Sequence, residues 1–246
     1  SEQISVGPPF YHKLIIPFLI PFLIFMAIGP RLKWIKSELD EKKYLFILFI
    51  LSILISYFIL KNLSANFLIN TVLIGSAFYL FFVTTKDFFS KKHKSISQNL
   101  SHFGFSLLIL SILFNSLFSS EIITNLKVGQ TFENSKAKIV FESLSQKEGE
   151  NYKSIIGNFV VQDSNGKMEN LSPELRIYNQ PNITTSEADI KTTLLSDKFI
   201  VINLVQNQEF FNVRYQVKPF MLWIWISVIL ISFGGLISFV KKEYEK

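Results

Sequence analysis

Five apolar runs, each close to the length that crosses a lipid bilayer, dominate the two ends of this 246-residue sequence. A helix needs about 20 residues to cross roughly 30 Å of hydrocarbon at 1.5 Å per residue. The predicted spans are residues 10–29, 44–60, 67–83, 99–118 and 219–240. Pro17 and Pro21 interrupt the first span, and a membrane helix tolerates them where neighbouring groups satisfy the freed carbonyls. The sequence therefore predicts a membrane α-helical bundle of about five transmembrane helices.

The stretch between the last two spans has the composition of a water-soluble polypeptide. Apolar residues alternate with polar ones in short runs, which is the pattern of half-buried β-strands. The runs are residues 138–141, 155–161, 199–205 and 210–217, and the Asp-Ser-Asn-Gly turn at 163–166 predicts a hairpin. We expect three parts: four helices in 1–118, an inserted mainly-β domain in 119–218, and a final helix with a tail in 219–246.

Basic residues are distributed unevenly among the short loops, and this predicts the orientation. Segments 31–43, 84–97 and 241–246 carry five, four and three Lys or Arg residues, whereas the opposite short segments offer only Lys13 and Lys61. The basic side of a membrane protein is usually cytoplasmic. Residues 119–218 are therefore expected to face the periplasm of a bacterial inner (cytoplasmic) membrane.

The formal net charge of +6 belongs to the helical parts of the chain. Residues 119–218 hold 11 Lys and Arg against 12 Asp and Glu, so the basic excess lies outside them. Such an excess indicates membrane topology and attraction to anionic lipid, and it gives no reason to expect nucleic acid. With no cysteine in the chain, disulfides, thiolate metal sites and thiol nucleophiles are excluded.

Histidine is the residue type that could ligate a metal here, and the sequence has three. His93 stands in a basic loop, and His12 lies beside Tyr11 and Lys13 at a predicted membrane interface. His102 falls in the first turns of the fourth span, where an ionisable side chain is costly unless it has a partner. His102 could be a bonded structural imidazole or a metal ligand, and residue physics alone leaves both readings open. Gly104, close by, would let either a flat group or another helix approach.

An imidazole is a common axial ligand of haem iron. Because the chain has no cysteine, a haem held by His102 would be non-covalent and therefore of the b type. If its iron takes two histidines, this chain is expected to supply only one of them.

Three short segments carry a distinctive pattern: residues 5–11 read SVGPPFY, residues 101–104 read SHFG, and residues 171–178 read LSPELRIY. In the same order they resemble segments of CcmF, the membrane subunit of the bacterial cytochrome c maturation haem lyase. The closing residues 213–235 resemble the last helix of that family. The resemblance extends over nearly the whole chain, but only over the C-terminal portion of CcmF. Leu175 stands where the family usually has Lys, and His12 where it usually has Asn.

The resemblance implies a function in cytochrome c maturation. CcmF-like proteins receive haem from the chaperone CcmE and help to ligate it to apocytochrome c, and they hold a b-type haem between two membrane histidines. In this sequence the resemblance assigns a haem-binding role to His102 alone, as one axial ligand of that b-type haem. The implied partners are the upstream CcmF portion, CcmE, apocytochrome c and its thiol-handling partners, and membrane lipid. The chain begins with Ser, and its first residues lack the basic start of a signal peptide. Either the start was processed away or, as we expect, this is the back end of a longer chain. It is then an enzyme only as part of a haem lyase complex and is inactive alone.

Two other functions remain open from the residues themselves. A transporter or permease subunit would show paired polar groups or broken half-helices at mid-membrane. A structural assembly subunit would use the β domain to dock partners, and replacing His102 would then affect folding alone. No catalytic triad or carboxylate pair is apparent in the sequence, so no catalytic residue is predicted.

Overall fold

The computed structural model describes residues 8–32, 42–63, 67–89, 95–164, 166–205 and 209–244, with side chains described between 14 and 240 within those ranges. Five helices are present: α1 (Pro8–Ile28), α2 (Lys42–Leu60), α3 (Phe67–Phe89), α4 (Ile96–Phe118) and α5 (Met221–Tyr244). Each is long and apolar enough to cross a membrane. The fold class predicted from the sequence, a helical membrane bundle with an inserted β domain, is confirmed, and the chain is a multi-pass membrane protein.

The chain divides into two compact units, and the first contains residues 1–113 and 223–246. α3 is its most buried helix. Gly75 lets α2 pack closely on α3, because a Cβ there would lie 3.2 Å from the Cα of Ile53. The Ser56 hydroxyl donates to the Thr71 carbonyl at 2.8 Å across the same pair of helices. Small and polar residues therefore make the helix contacts, as is usual in membranes.

The second unit contains residues 114–222 and is built on ten strands. In chain order they are β1 (Ser120–Leu126), β2 (Thr131–Glu133), β3 (Ala137–Glu148), β4 (Tyr152–Asp163), β5 (Met168–Leu171), β6 (Glu174–Tyr178), β7 (Ile183–Glu187), β8 (Asp189–Thr192), β9 (Ser196–Leu204) and β10 (Phe211–Pro219). One antiparallel sheet has the order β1-β10-β9-β8, and the other has the order β2-β3-β4-β6-β7 with β5 paired to β4.

The core of this unit lies between the two sheets. Alternate residues of β3, β4, β9 and β10 point inward and are buried, as a two-residue period requires. The rings of Phe141 and Phe159 stack with centroids 4.3 Å apart, and Phe211 meets Phe141 edge-on at 5.6 Å. The hairpin predicted around residues 163–166 joins β4 to β5, with Gly166 at φ +80°, a conformation that glycine adopts without strain.

Candidate functional site

His102 is the seventh residue of α4 and is half-buried. Ser95 caps this helix, since its hydroxyl accepts from the Gln98 N–H at 3.2 Å. Six steps of 1.5 Å place His102 roughly 9 Å from the helix start, within the apolar part of the span. An ionisable side chain at this depth marks a functional candidate in a membrane protein.

One side of α4 packs on α3. The hydroxyls of Thr84 and Ser106 lie 2.7 Å apart in a buried hydrogen bond. The ring of Phe103 stacks on that of Phe88 with centroids 5.1 Å apart. These hydroxyl and aromatic contacts fix the position of α4 against α3. They therefore also fix the position of His102 along the span.

Another side of α4 packs on α5 through small residues. A Cβ at Gly104 would lie 3.0 Å from the side chains of Leu230 and Ile231. The Ser97 hydroxyl donates to the Gly234 carbonyl at 2.7 Å. The sequence left open whether Gly104 admits a flat group or a helix, and in the structure the space beside it is filled by α5.

At 100° per residue, His102 lies about 40° from Ser106, on the side of α4 that packs on α3, and about 40° from Gln98 on its other flank. Phe105 lies on the flank of Gln98. The Phe105 ring meets Phe22 of α1 edge-to-face at 6.1 Å, and Phe22 is more than half exposed. His102 is thus one turn from an apolar aromatic wall that a large flat ligand could contact.

The donor chemistry around His102 suits a haem held by one ligand from this chain. A neutral imidazole is a good axial ligand, and apolar rings suit the faces of a porphyrin. Within the described residues no group of three or more His, Asp or Glu side chains could hold a metal ion. The His12 side chain and all of His93 lie outside the described residues.

An ion pair inside the helical unit was not recognised in the sequence. Nη2 of Arg31 lies 2.6 Å from Oδ1 of Asp87, and both side chains are mostly buried. Asn99 of α4 donates to the Asp87 carbonyl at 3.1 Å. From the sequence, Arg31 was interpreted only as one of the basic residues of a loop. Asp87 could have predicted the pair, because a carboxylate at the end of an apolar helix requires a partner.

A transporter is expected to show broken half-helices at mid-membrane. α1 continues as one helix through Pro17 and Pro21, from Pro8 to Ile28, so these two prolines do not divide it into half-helices.

The LSPELRIY segment of the β unit combines core residues with a surface cluster. Leu171 and Leu175 are fully buried. Arg176 pairs with Glu174 at 3.1 Å, and its guanidinium carbon lies 5.0 Å from the centre of the Tyr152 ring. This arrangement holds a cation and an aromatic ring together on the outer side of β6, which suits a docking surface.

A cavity of about 510 Å³, lined by polar and apolar side chains, opens between the two sheets. Nζ of Lys198, which is mostly buried, lies 3.0 Å from Asp163 and 3.3 Å from Glu169. Burial raises the pKa of Glu169, but hydrogen bonds from Lys167 and Lys198 outweigh it and hold this pKa below its ordinary value. Burial, helped by the two carboxylates, raises the pKa of Tyr215 to about 12. The cluster is close to charge-balanced and stabilises the open end of the sandwich.

Comparison with known proteins agrees with the resemblance seen in the sequence. Residues 117–219 match the family described as the CcmF C-terminal beta-sandwich. The chain is 24% identical over 99% of its length to the cytochrome c-type biogenesis protein CcmF of Haemophilus influenzae, of which it covers 40%. It is 23% identical over 99% of its length to the protein of that name from Escherichia coli, of which it covers 39%.

The fold is also that of a solved structure. The chain matches the cytochrome c haem lyase CcmF with a TM-score of 0.71 and 17% identity, over 94% of this chain and 40% of that one. The chain thus spans about 40% of the length of the relatives that it matches. The expected resemblance to the C-terminal portion of CcmF is confirmed.

Proposed function

We propose that this chain, a relative of the C-terminal portion of CcmF, acts in cytochrome c maturation as part of a membrane haem lyase. The observation that carries the proposal is the position of His102. It is a half-buried imidazole on a span fixed by α3 and α5, in a chain that resembles CcmF from end to end. Haem involvement is consistent with the names of these relatives.

The residue that we assign to haem is His102, as one axial ligand of a b-type haem. Such a haem, when bound, supplies one-electron chemistry that keeps the substrate haem reduced. The second ligand comes from the upstream CcmF portion, which the relatives possess beyond the length matched here. Phe105, one turn further along α4, and Phe22 of α1, whose ring it contacts, supply apolar rings near the proposed haem position.

Thioether formation requires positioning and a reduced iron more than a protein nucleophile. We therefore assign no catalytic residue to this chain. Its part in ligation is to hold the redox haem and to present a docking surface.

The orientation that we propose places the β unit in the periplasm, where c-type cytochromes are assembled. The three basic segments then face the cytoplasm. In this orientation the partly exposed Arg176–Tyr152 cluster is available to CcmE, to apocytochrome c or to its thiol-handling partners.

The experiment that tests the function is complementation. This chain and the upstream CcmF portion from the same source are expressed in a bacterium that lacks its own CcmF, and covalent haem is measured in a reporter c-type cytochrome. We expect covalent haem only when both are present. The same yield without this chain would overturn the proposal.

Two variants refine the complementation experiment. His102→Ala should lower the yield of covalent haem strongly, because it removes the proposed ligand. Gln98→Ala, one turn earlier and exposed, should leave the yield unchanged. Membrane levels of both variants are measured by immunoblot, so that loss of function is distinguished from loss of protein.

A further inference from the structure

Two neighbouring leucines at the tip of the β8–β9 hairpin are strongly exposed. Leu194 and Leu195 have 69% and 68% of their surface accessible. Large apolar side chains presented together at a loop tip mark a surface that contacts lipid or protein.

The tip is a fixed turn. Thr193 makes the bonds that close it: its N–H and its hydroxyl both donate to the Ser196 carbonyl, at 3.0 and 2.8 Å. The Ser196 N–H in turn donates to the Thr193 hydroxyl at 3.1 Å. The two leucines are therefore presented in one orientation, so burying them costs little additional ordering of the backbone.

The tip lies next to the start of α5. The carbonyl of Leu195 accepts from the Phe220 N–H at 2.8 Å, and Ser196 pairs with Pro219 in the sheet register. Phe220 has φ +61° and directly precedes Met221, the first residue of α5. The hairpin tip is therefore tied to the residue at which the last membrane helix begins.

The end of α4 is held at the same place. Nδ2 of Asn115 donates to the Pro219 carbonyl at 2.6 Å, and the rings of Phe114 and Phe220 lie 5.3 Å apart. The apolar span of α4 ends at Phe118, and that of α5 begins at Met221. If both helices cross the bilayer, its boundary falls near these two residues and therefore near the tip.

Cations near the tip suit the lipid headgroups that border such a site. Lys191 is exposed in β8, two residues before Thr193, and Lys218 stands in β10 one residue before Pro219. Basic residues beside inserted apolar ones are attracted to anionic lipid.

We propose that Leu194 and Leu195 insert into the outer interface of the bilayer and anchor the β unit to the membrane beside α5. The occupant of this surface is lipid. The anchor is independent of haem binding and depends only on α4 and α5 spanning the membrane.

The absence of cysteine from the natural sequence makes a depth measurement direct. Single-cysteine variants Leu194→Cys and Leu195→Cys of the full chain are labelled with an environment-sensitive fluorophore in liposomes that contain phosphatidylglycerol. Quenching is measured with aqueous iodide and with nitroxide-labelled lipid. We expect both labels to be shielded from iodide and quenched by the nitroxide lipid.

The matched control is Leu204→Cys, at the opposite end of β9 and also exposed, at 51%. Leu204 lies nine residues beyond Leu195, roughly 30 Å along an extended strand at about 3.3 Å per residue, so its label should be quenched by iodide and not by the lipid. Iodide quenching at 194 and 195 equal to that at 204 would overturn the proposal. Shielding from both quenchers would overturn it as well, because the tip would then be covered by protein.

Discussion

The guanidinium of Arg31 and the carboxylate of Asp87 lie 2.6 Å apart and join the 3-10 turn that follows α1 to the last turn of α3. The second guanidinium nitrogen of Arg31 donates to the Ala27 carbonyl at 2.9 Å. Only 13% and 18% of the two side chains is exposed. A mostly buried pair leaves an uncompensated charge when one partner is removed.

Asp87→Ala should therefore destabilise the helical unit by about 3–5 kcal/mol. Thermal unfolding of the full chain in detergent measures the effect. The control is Glu209→Ala, since Glu209 is 86% exposed in its pair with Lys127; an exposed pair contributes about 0–1 kcal/mol. Equal losses of stability in the two variants would contradict the structural importance of the Arg31–Asp87 pair.

The two adjacent glycines of α5 should respond differently to alanine. A Cβ at Gly234 would clash with the Ser101 hydroxyl and lie 2.9 Å from both the Ser101 nitrogen and the Ser97 carbonyl oxygen. A Cβ at Gly235 would meet nothing within 4 Å. Gly234→Ala should lower stability by about 1–3 kcal/mol through overpacking, and Gly235→Ala should not. Helix unfolding followed by circular dichroism distinguishes the two, and similar behaviour would refute close packing of α4 on α5.

Lys198→Met should destabilise the β unit by about 1–3 kcal/mol at neutral pH, because Asp163 and Glu169 lose their shared cation while Glu169 keeps its pair with Lys167. In the native unit the pKa of Glu169 is held low, so this stabilisation exists above the ordinary carboxyl pKa and is lost as pH falls. The difference in unfolding free energy between the wild type and the variant should therefore decrease as pH is lowered towards 4.

Thermal unfolding followed by the β-sheet signal in circular dichroism measures the deficit of Lys198→Met. Lys153→Met is the matched control, because the pair of Lys153 with Glu148 is exposed. A pH-independent deficit in Lys198→Met would show that lost packing, and not charge, is responsible.

Tyr215 should ionise late in alkaline titration. Its pKa of about 12 exceeds the ordinary value of 10.0 mainly because the ring is buried. A raised phenol pKa stabilises the native state below pH 10, and this contribution is lost as pH rises through 12. The tyrosinate absorbance of the wild type minus that of Tyr215→Phe should show a midpoint near 12. A midpoint near 10 would place Tyr215 in contact with water.

The sequence predicted the fold class because hydropathy and two-residue alternation are local signals. The hairpin at 163–166 was predicted for the same reason. The arrangement into two sheets could not be predicted from local patterns, because β1 pairs with β10, which lies at the other end of the unit's sequence. The short polar strands β7 and β8 have no apolar alternation to mark them, and they are held by pairing to β6 and β9.

Helix ends differ from the hydropathy pattern where polar contacts extend a helix. α3 continues to Phe89, beyond the predicted end at 83, because Asp87 is neutralised by Arg31 and Lys86 lies over the Tyr44 ring at 3.8 Å. α4 begins at Ile96, before the predicted start at 99, because Ser95 caps it. Such contacts join residues far apart in the chain and cannot be read from a window of hydropathy.

The candidate site was predictable only in part. The cost of a histidine inside a membrane span singled out His102, which remains a proposal as a haem ligand. The Arg31–Asp87 pair was missed because its members are 56 residues apart. The α5 residues that fill the space beside Gly104 also could not be predicted from the sequence around Gly104.

The most direct test of the account is a reduced-minus-oxidised absorption spectrum of this chain purified with the upstream CcmF portion. We predict a b-type haem spectrum that is lost in His102→Ala, restored when imidazole is added to that variant, and unchanged in Gln98→Ala. Restoration by imidazole separates a ligand from a side chain needed only for folding. A b-type spectrum of full intensity in His102→Ala, without imidazole, would contradict the assignment of His102 as an axial ligand.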